Sequence, residues 1–219
     1  MKIALLVTAI IAAAMSFAMR ESVAASPAMW LGLVLPYIAL AALSVQRFHR
    51  DGTLRDMMRL RGGDFTIGFI VAALIFGGAY GVKHLLFGPG SSKTVWLFHI
   101  ALQVGSIHPS PKLLVLVALI GALEELVWRG LVLSALTDSL GTRRAWPVAA
   151  VFYAAAHLPT VITLGDPEAG PNPLLPMAAL GAGLVWSFSA RLFGRLPPVV
   201  VSHAIFTYFA AALLLPRFG

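Results

Sequence analysis

Residues 121–130 read GALEELVWRG and lie inside the apolar run LLVLVALIGALEELVWRGLVLSAL, residues 113–136. A run of that length suits a membrane-spanning helix, which needs about 20 apolar residues to cross a hydrocarbon core of about 30 Å. Yet this run holds Glu124, Glu125 and Arg129. One charged side chain at the centre of a span costs about 2.5–3.5 kcal/mol on insertion scales, so three unpaired ones would cost on the order of 8–10 kcal/mol. Such residues are paired or functional by default. Helix geometry divides them. Glu125 and Arg129 stand four residues apart on one face, with the acid N-terminal, the better order for a pair. Glu124 points about 100° away and meets Val127 and Trp128 at the corresponding spacings. Glu125 and Arg129 are therefore expected to be a structural pair, and Glu124 is the acid left over.

The rest of the chain fits the membrane reading. Its 219 residues are 59% hydrophobic and 11% charged, with a mean hydropathy of +0.87. A soluble domain carries about 25% charged residues. The expected fold is all-α: a polytopic transmembrane helical bundle of about seven spans, forming a single integral-membrane domain over residues 1–219. The expected spans are 3–19, 28–46, 65–87, 113–136, 146–163, about 174–192 and about 198–216. Gly77 and Gly81 in the third have a small-xxx-small spacing that permits close helix packing. The short apolar piece TVWLFHIALQV in the loop at 88–112 is too short to span and is expected to be interfacial or re-entrant.

The net charge of +7 does not indicate nucleic acid, because the arginines cluster in short loops beside apolar segments. With QRFHRDGTLRDMMRLRGGD (46–64) inside, Arg143, Arg144, Arg191 and Arg195 also fall inside, as the positive-inside rule requires. The acidic, proline-rich GDPEAGPNP (165–173) and the C-terminus then fall outside. Small residues in SVAAS (22–26) offer a signal-peptide cleavage site after the first segment, although Arg20 and Glu21 stand against it. No cysteine is present, which excludes disulfides, thiol nucleophiles and thiolate metal sites.

Two further spans carry polar groups. VFYAAAHLP (151–159) places His157 near mid-membrane, with Tyr153 four residues earlier on the same face. Alanines 154 to 156 beside it allow close helix approach. VVSHAIFTYF (200–209) places His203 and Thr207 on one face. The catalytic core is thus expected in the fourth, fifth and seventh spans, with a polar water-accessible cavity between them. A carboxylate can act as a general base on water, and a histidine can orient that water or pass a proton to a leaving amine. A second histidine with a hydroxyl beside it can donate to a developing oxyanion. Amide hydrolysis suits this set best.

These residues carry a resemblance. EELVWR (124–129) is similar to the EExxxR motif of the CPBP intramembrane proteases, the ABI family that includes the CAAX prenyl endopeptidases. YAAAH (153–157) resembles the FxxxH motif of that family, and HAIFT (203–207) its HxxxN/D-type motif. The motif-bearing core covers about 113–210, leaving spans 1–87 as accessory. The resemblance implies a glutamic-type intramembrane endopeptidase in which Glu124 activates water, His157 is its partner, and His203 with Thr207 stabilises the oxyanion. Glu125, Arg129 and Tyr153 support them. Tyr153 stands where Phe is usual and Thr207 where Asn or Asp is usual. It also implies a prokaryotic plasma membrane and a membrane-anchored protein or peptide substrate, as in C-terminal processing or sorting-tag removal.

Two histidines and a glutamate also suit zinc, and Glu124, His157 and His203 would be its ligands. The absent HExxH spacing and the lack of a partner carboxylate for either histidine favour no cofactor. Two other functions stand beside the protease: a non-catalytic membrane partner of the immunity type, and a proton-coupled transporter. The absence of paired broken helices in two halves counts against the transporter. His49, His84, His99 and His108 are expected to be solvated or interfacial. Trp30, Trp96, Trp146 and Trp186 suit an interfacial belt, whereas Trp128 is expected to pack beside the site.

Overall fold

A computed structural model describes residues 1–87, 90–105 and 110–215. His108 and the last residue of the seventh expected span, at 216, lie outside them. The described residues form helices joined by turns and loops, without a strand; Asp166 and Gly170 form an isolated bridge. The helices are α1 (Lys2–Ala18), α2 (Pro27–Arg50), α3 (Leu54–Met58), α4 (Asp64–Leu86), α5 (Thr94–Gln103), α6 (Pro111–Glu125), α7 (Leu133–Leu140), α8 (Thr142–Ala156), α9 (Thr160–Thr163), α10 (Leu174–Phe193) and α11 (Pro197–Phe209). A π-helix, Leu126–Val132, joins α6 to α7, and another, Ala210–Leu214, extends α11.

Five helices are long and apolar enough to cross a membrane: Pro27–Arg50, Asp64–Leu86, Thr142–Thr163, Leu174–Phe193 and Pro197–Leu214. The protein is an integral membrane protein with a helical-bundle fold. The first expected span is the shorter α1, of 17 residues. The fourth is helical from Pro111 to Leu140 but divided by the π-helix. Side chains such as Leu74, Leu85 and Ile162 are 68%, 85% and 84% exposed, a surface suited to lipid rather than water.

Local sequence sets the ends of these elements. Ser26 and Ser110 each accept a hydrogen bond from the amide three residues on, at 3.3 and 3.2 Å. A proline at the first helical position follows each of them, where its missing N–H is no loss. Gly194 closes α10 in the left-handed conformation, φ +65°, which glycine adopts without strain.

Close packing occurs where a side chain is missing. A Cβ at Gly68 would stand 2.6 Å from Val201 Cγ1 and 3.0 Å from the Pro198 carbonyl, so α4 leans on α11 through its first turns. The expectation for Gly77 and Gly81 is not met within the chain: a Cβ at either would meet nothing within 4 Å. The contact at Gly68 lies more than two turns earlier, and Ala72 one turn on is also buried.

The fifth span is also not one continuous α-helix. α8 stops at Ala156, and the amides of His157 and Leu158 bond three residues back, to Ala154 and Ala155. Pro159 explains the break. It has no N–H to give the Ala155 carbonyl, and its ring disfavours α-helix before it.

At the end opposite the arginine-rich loops, α5 ties two loops together. Gln103 Nε2 donates to the carbonyls of Ala18 and Arg20, at 2.7 and 3.2 Å. Trp96 Nε1 donates to the Gly170 carbonyl at 3.2 Å, and Asn172 Nδ2 returns a bond to the Trp96 carbonyl at 3.2 Å. His99, expected to be solvated or interfacial, has Nδ1 3.1 Å from the Gly165 carbonyl and Nε2 3.8 Å from Asp166. The amides of Ala169 and Glu168, and His99 more weakly, hold the Asp166 carboxyl below its ordinary range. A depressed carboxyl contributes stability above its unfolded pKa and loses it as the pH falls through the folded value, so the contribution of Asp166 to this turn is present at neutral pH and lost in acid.

Candidate active site

Glu124 and Glu125 are the last two residues of α6, and both are buried. The π-helix that follows widens the backbone, a distortion found frequently at functional sites. It lies where α2 presses closest: a Cβ at Gly130 would stand 2.4 Å from Ser44 Oγ. One turn before the glutamates, a Cβ at Gly121 would stand 2.8 Å from Thr207 Oγ1 and 3.0 Å from His203 Cδ2. Glycine there admits α11 and brings its histidine against the two acids.

The pair expected on one helix face is present. Arg129 Nη1 donates to Glu125 Oε1 at 2.8 Å, with both side chains fully buried. Arg129 Nη2 donates to the Gly183 carbonyl at 3.2 Å. The guanidinium lies 4.8 Å from the Tyr153 ring centroid and 5.4 Å from that of Trp186. Glu125 also has a partner on another span: His203 Nδ1 stands 2.7 Å from the same Oε1. Its role is therefore wider than a pair with Arg129, because it holds an imidazole in place.

Glu124 finds its partner on α8. The Tyr153 hydroxyl donates to Glu124 Oε2 at 2.6 Å, so the tyrosine at the usual phenylalanine position adds a hydrogen bond. His203 Nε2 lies 3.8 Å from the same oxygen. His157 sits in the turn after α8, its Nδ1 2.8 Å from the Tyr153 carbonyl. It is within electrostatic reach of Glu124 and His203. Tyr153 thus links Glu124, through its hydroxyl, to His157, through its carbonyl.

The partners fix the tautomers. A carboxylate and a carbonyl oxygen only accept. Nδ1 therefore carries the hydrogen in both His203 and His157, and each neutral ring keeps its lone pair on Nε2. Among the described residues, no three or more His, Asp or Glu side chains are placed to share a metal ion. Glu124, His157 and His203 do not make a zinc-binding set in this arrangement.

Thr207 donates to the His203 carbonyl at 2.8 Å, which commits its hydrogen to its own helix. Trp186 is buried, contrary to its expected interfacial place. Its ring stacks on His203 at 3.7 Å between centroids, and its Nε1 donates to Ser202 Oγ at 3.0 Å. Trp128 does pack beside the site, edge-on to Tyr153 at 5.2 Å. A cavity of about 280 Å³ opens near the arginine-rich end, lined by Arg129, Ser134, Thr137, Arg191 and Arg195 among others. Of the site residues it meets Arg129 alone, so it is not the cavity expected between the fourth, fifth and seventh spans.

This helical membrane protein buries two carboxylates, an arginine and two imidazoles around one polar centre. Residues 106–209, a little under half of the chain, match the family model described as Type II CAAX prenyl endopeptidase Rce1-like. Glu124, His157 and His203 all fall within it. A search of curated proteins and a search of solved structures each found no match.

Proposed function

We propose that the protein is an intramembrane endopeptidase that hydrolyses a peptide bond of a membrane-anchored protein or peptide, with Glu124 as the base that activates water. The observation that carries this is the placement of Glu124. It is buried and bonded through Oε2 to Tyr153; His203 Nε2 lies 3.8 Å from the same oxygen, and His157, in the turn after α8, is bonded to the Tyr153 carbonyl. The family-model match over residues 106–209 supports the reaction class.

In the proposed reaction, Glu124 takes a proton from a water molecule positioned with His157. The water oxygen bonds to the scissile carbonyl carbon, and the carbonyl oxygen becomes an oxyanion. When the carbon–nitrogen bond breaks, the proton held by Glu124 passes to the leaving amine. Tyr153 engages one Glu124 oxygen and leaves the other for the proton. His203 faces the centre through Nε2, and a contact to the oxyanion requires that nitrogen to carry a hydrogen, which is the imidazolium form. The bond from Glu125 to Nδ1 and the stack on Trp186 hold the ring for that task.

The test compares new protein termini in cells carrying the wild-type chain and the Glu124→Gln chain at equal membrane levels. Termini that appear only with the wild type support the proposal. An unchanged set overturns it.

Two substitutions on the α6–α11 contact test the arrangement. Thr207→Val removes a hydroxyl that is already bonded to its own helix, so cleavage is expected to stay within about threefold of wild type, less than the roughly 10²-fold loss typical of an oxyanion donor. Gly121→Val drives a side chain into His203 and is expected to lower cleavage by about 10²-fold, the scale of an ångström-sized misplacement. Both are read as cleavage per mole of extracted protein. The opposite ranking would make Thr207 the donor and Gly121 a bystander.

A further inference from the structure

We propose that the cavity at the arginine-rich end of the bundle is a binding site for a phosphate group, held by Arg191, Arg195 and the hydroxyls of Ser134 and Thr142. The site stands apart from the reaction proposed for Glu124 and does not depend on it.

Four elements meet around this space of about 280 Å³: α7 brings Ser134, the first turn of α8 brings Thr142, the last turn of α10 brings Arg191, and the loop to α11 brings Arg195. The Arg195 side chain is 9% exposed and gives Nη1 to the buried carboxylate of Asp64. Its Nε and Nη2 bond to no described residue. Neither is sealed in, as Arg129 Nε is, so both open on the cavity that the residue lines. Arg191, exposed at the rim, has no hydrogen-bond or ion-pair partner among the described residues. The same holds for the hydroxyls of Ser134 and Thr142. Thr137 beside them instead gives its hydroxyl to the Leu133 carbonyl at 2.8 Å.

The charge balance on this wall is positive. Arg129 is offset by Glu125, and Asp138 by Arg47, but nothing offsets Arg191. The start of α8 adds to the excess. Its first amides have no carbonyl partner within the helix and carry a partial positive charge. Gly141 before them has no side chain to cap them, and the first turn holds Arg143 and Arg144 but no acid. An anion seated beside Thr142 supplies what is missing. Guanidinium groups take phosphate oxygens in pairs, and the hydroxyls and helix amides donate to the oxygens that remain. Basic pockets between membrane helices at the headgroup level hold anionic lipids in this way. A phospholipid diester and free inorganic phosphate present the same oxygens to the site.

The test follows thermal unfolding of the full-length protein in detergent at constant ionic strength. One of two probes is added: dihexanoyl phosphatidylglycerol or inorganic phosphate. A ligand that binds the folded chain raises the midpoint as its concentration grows, and such a rise is expected. Arg191→Gln is expected to increase the half-saturating concentration about tenfold, the scale of one charge-assisted hydrogen bond. Arg191 is exposed and unpartnered, so its replacement leaves the fold intact. Ser134→Leu, which fills the cavity without changing charge, is expected to abolish the rise. Arg50→Gln removes an exposed arginine that does not line the cavity and is expected to titrate as the wild type does. A rise with the lipid alone identifies a headgroup as the ligand; a rise with inorganic phosphate shows that the phosphate group is sufficient. The proposal is overturned by no rise with either probe, by a rise that Arg191→Gln leaves unchanged, or by one that Arg50→Gln weakens as much as Arg191→Gln does.

Discussion

Glu124→Gln is expected to lower cleavage by about 10²–10⁴-fold, the contribution of a positioned general base, without lowering the amount of folded protein. The two effects separate because of what the amide keeps. Glutamine has the size of glutamate, and its carbonyl oxygen can accept the Tyr153 hydroxyl bond in place of Oε2. It is also neutral, so burying it costs less than burying a carboxylate. What it loses is the ability to take a proton from water. The check is cleavage per mole of protein extracted as a single species in mild detergent. A rate within about threefold of wild type would remove Glu124 from the base role, since a base lost at this site is worth far more than that.

Arg129→Ala is expected to have the largest effect on stability. Removing one partner of a buried ion pair costs about 3–5 kcal/mol, because the other charge remains buried without compensation. Here the stranded charge would be Glu125, at 0% exposure. The substitution also deletes the bond to the Gly183 carbonyl and the contacts with the Tyr153 and Trp186 rings. Each ring contact is worth about 0.5–2 kcal/mol. Arg129→Lys keeps the charge but not the planar fork that serves Glu125 and Gly183 together, so it is expected to recover only part of the loss. The combination of Glu125→Leu with Arg129→Leu is expected to unfold at a higher temperature than Arg129→Ala alone, because it strands no charge. Thermal unfolding in one detergent ranks the three variants. An Arg129→Ala protein as stable as wild type would show that the pair carries no structural weight.

Much of this site is legible in the sequence because it follows helix periodicity. The Glu125–Arg129 pair and the shared face of Tyr153 and His157 are four-residue relations, and a single helix fixes them whatever surrounds it. The three polar groups on three apolar segments are visible for the same reason that they are costly. What the sequence hides depends on contacts between helices and on departures from the α-helix. The bond from His203 to Glu125 joins residues 78 apart, and no period connects them. Trp186 looks like one more belt residue until α10 is placed beside α11. The π-helix at 126–132 changes the turn just past the glutamates, and an assumed 3.6-residue period passes over it. One local signal was present: Pro159, two residues after His157, marks the end of α8. Gly121, one turn before the glutamates, marks the close approach of α11 in a similar way, but only the partner helix shows what that space is for.

The ties made by α5 bear on how far the outer loops can change. Gln103 and Trp96 reach the 18–20 and 170 segments through main-chain carbonyls, which every amino acid carries. The side chains of Arg20, Glu21, Pro167 and Glu168 take no part in those bonds. These loops can therefore drift in sequence, or carry a short epitope in place of Pro167 and Glu168, while the strap across them stays fastened. Tolerance at the rim and strictness at the centre would then belong to one design, in which the backbone holds the outer end and side chains hold the site.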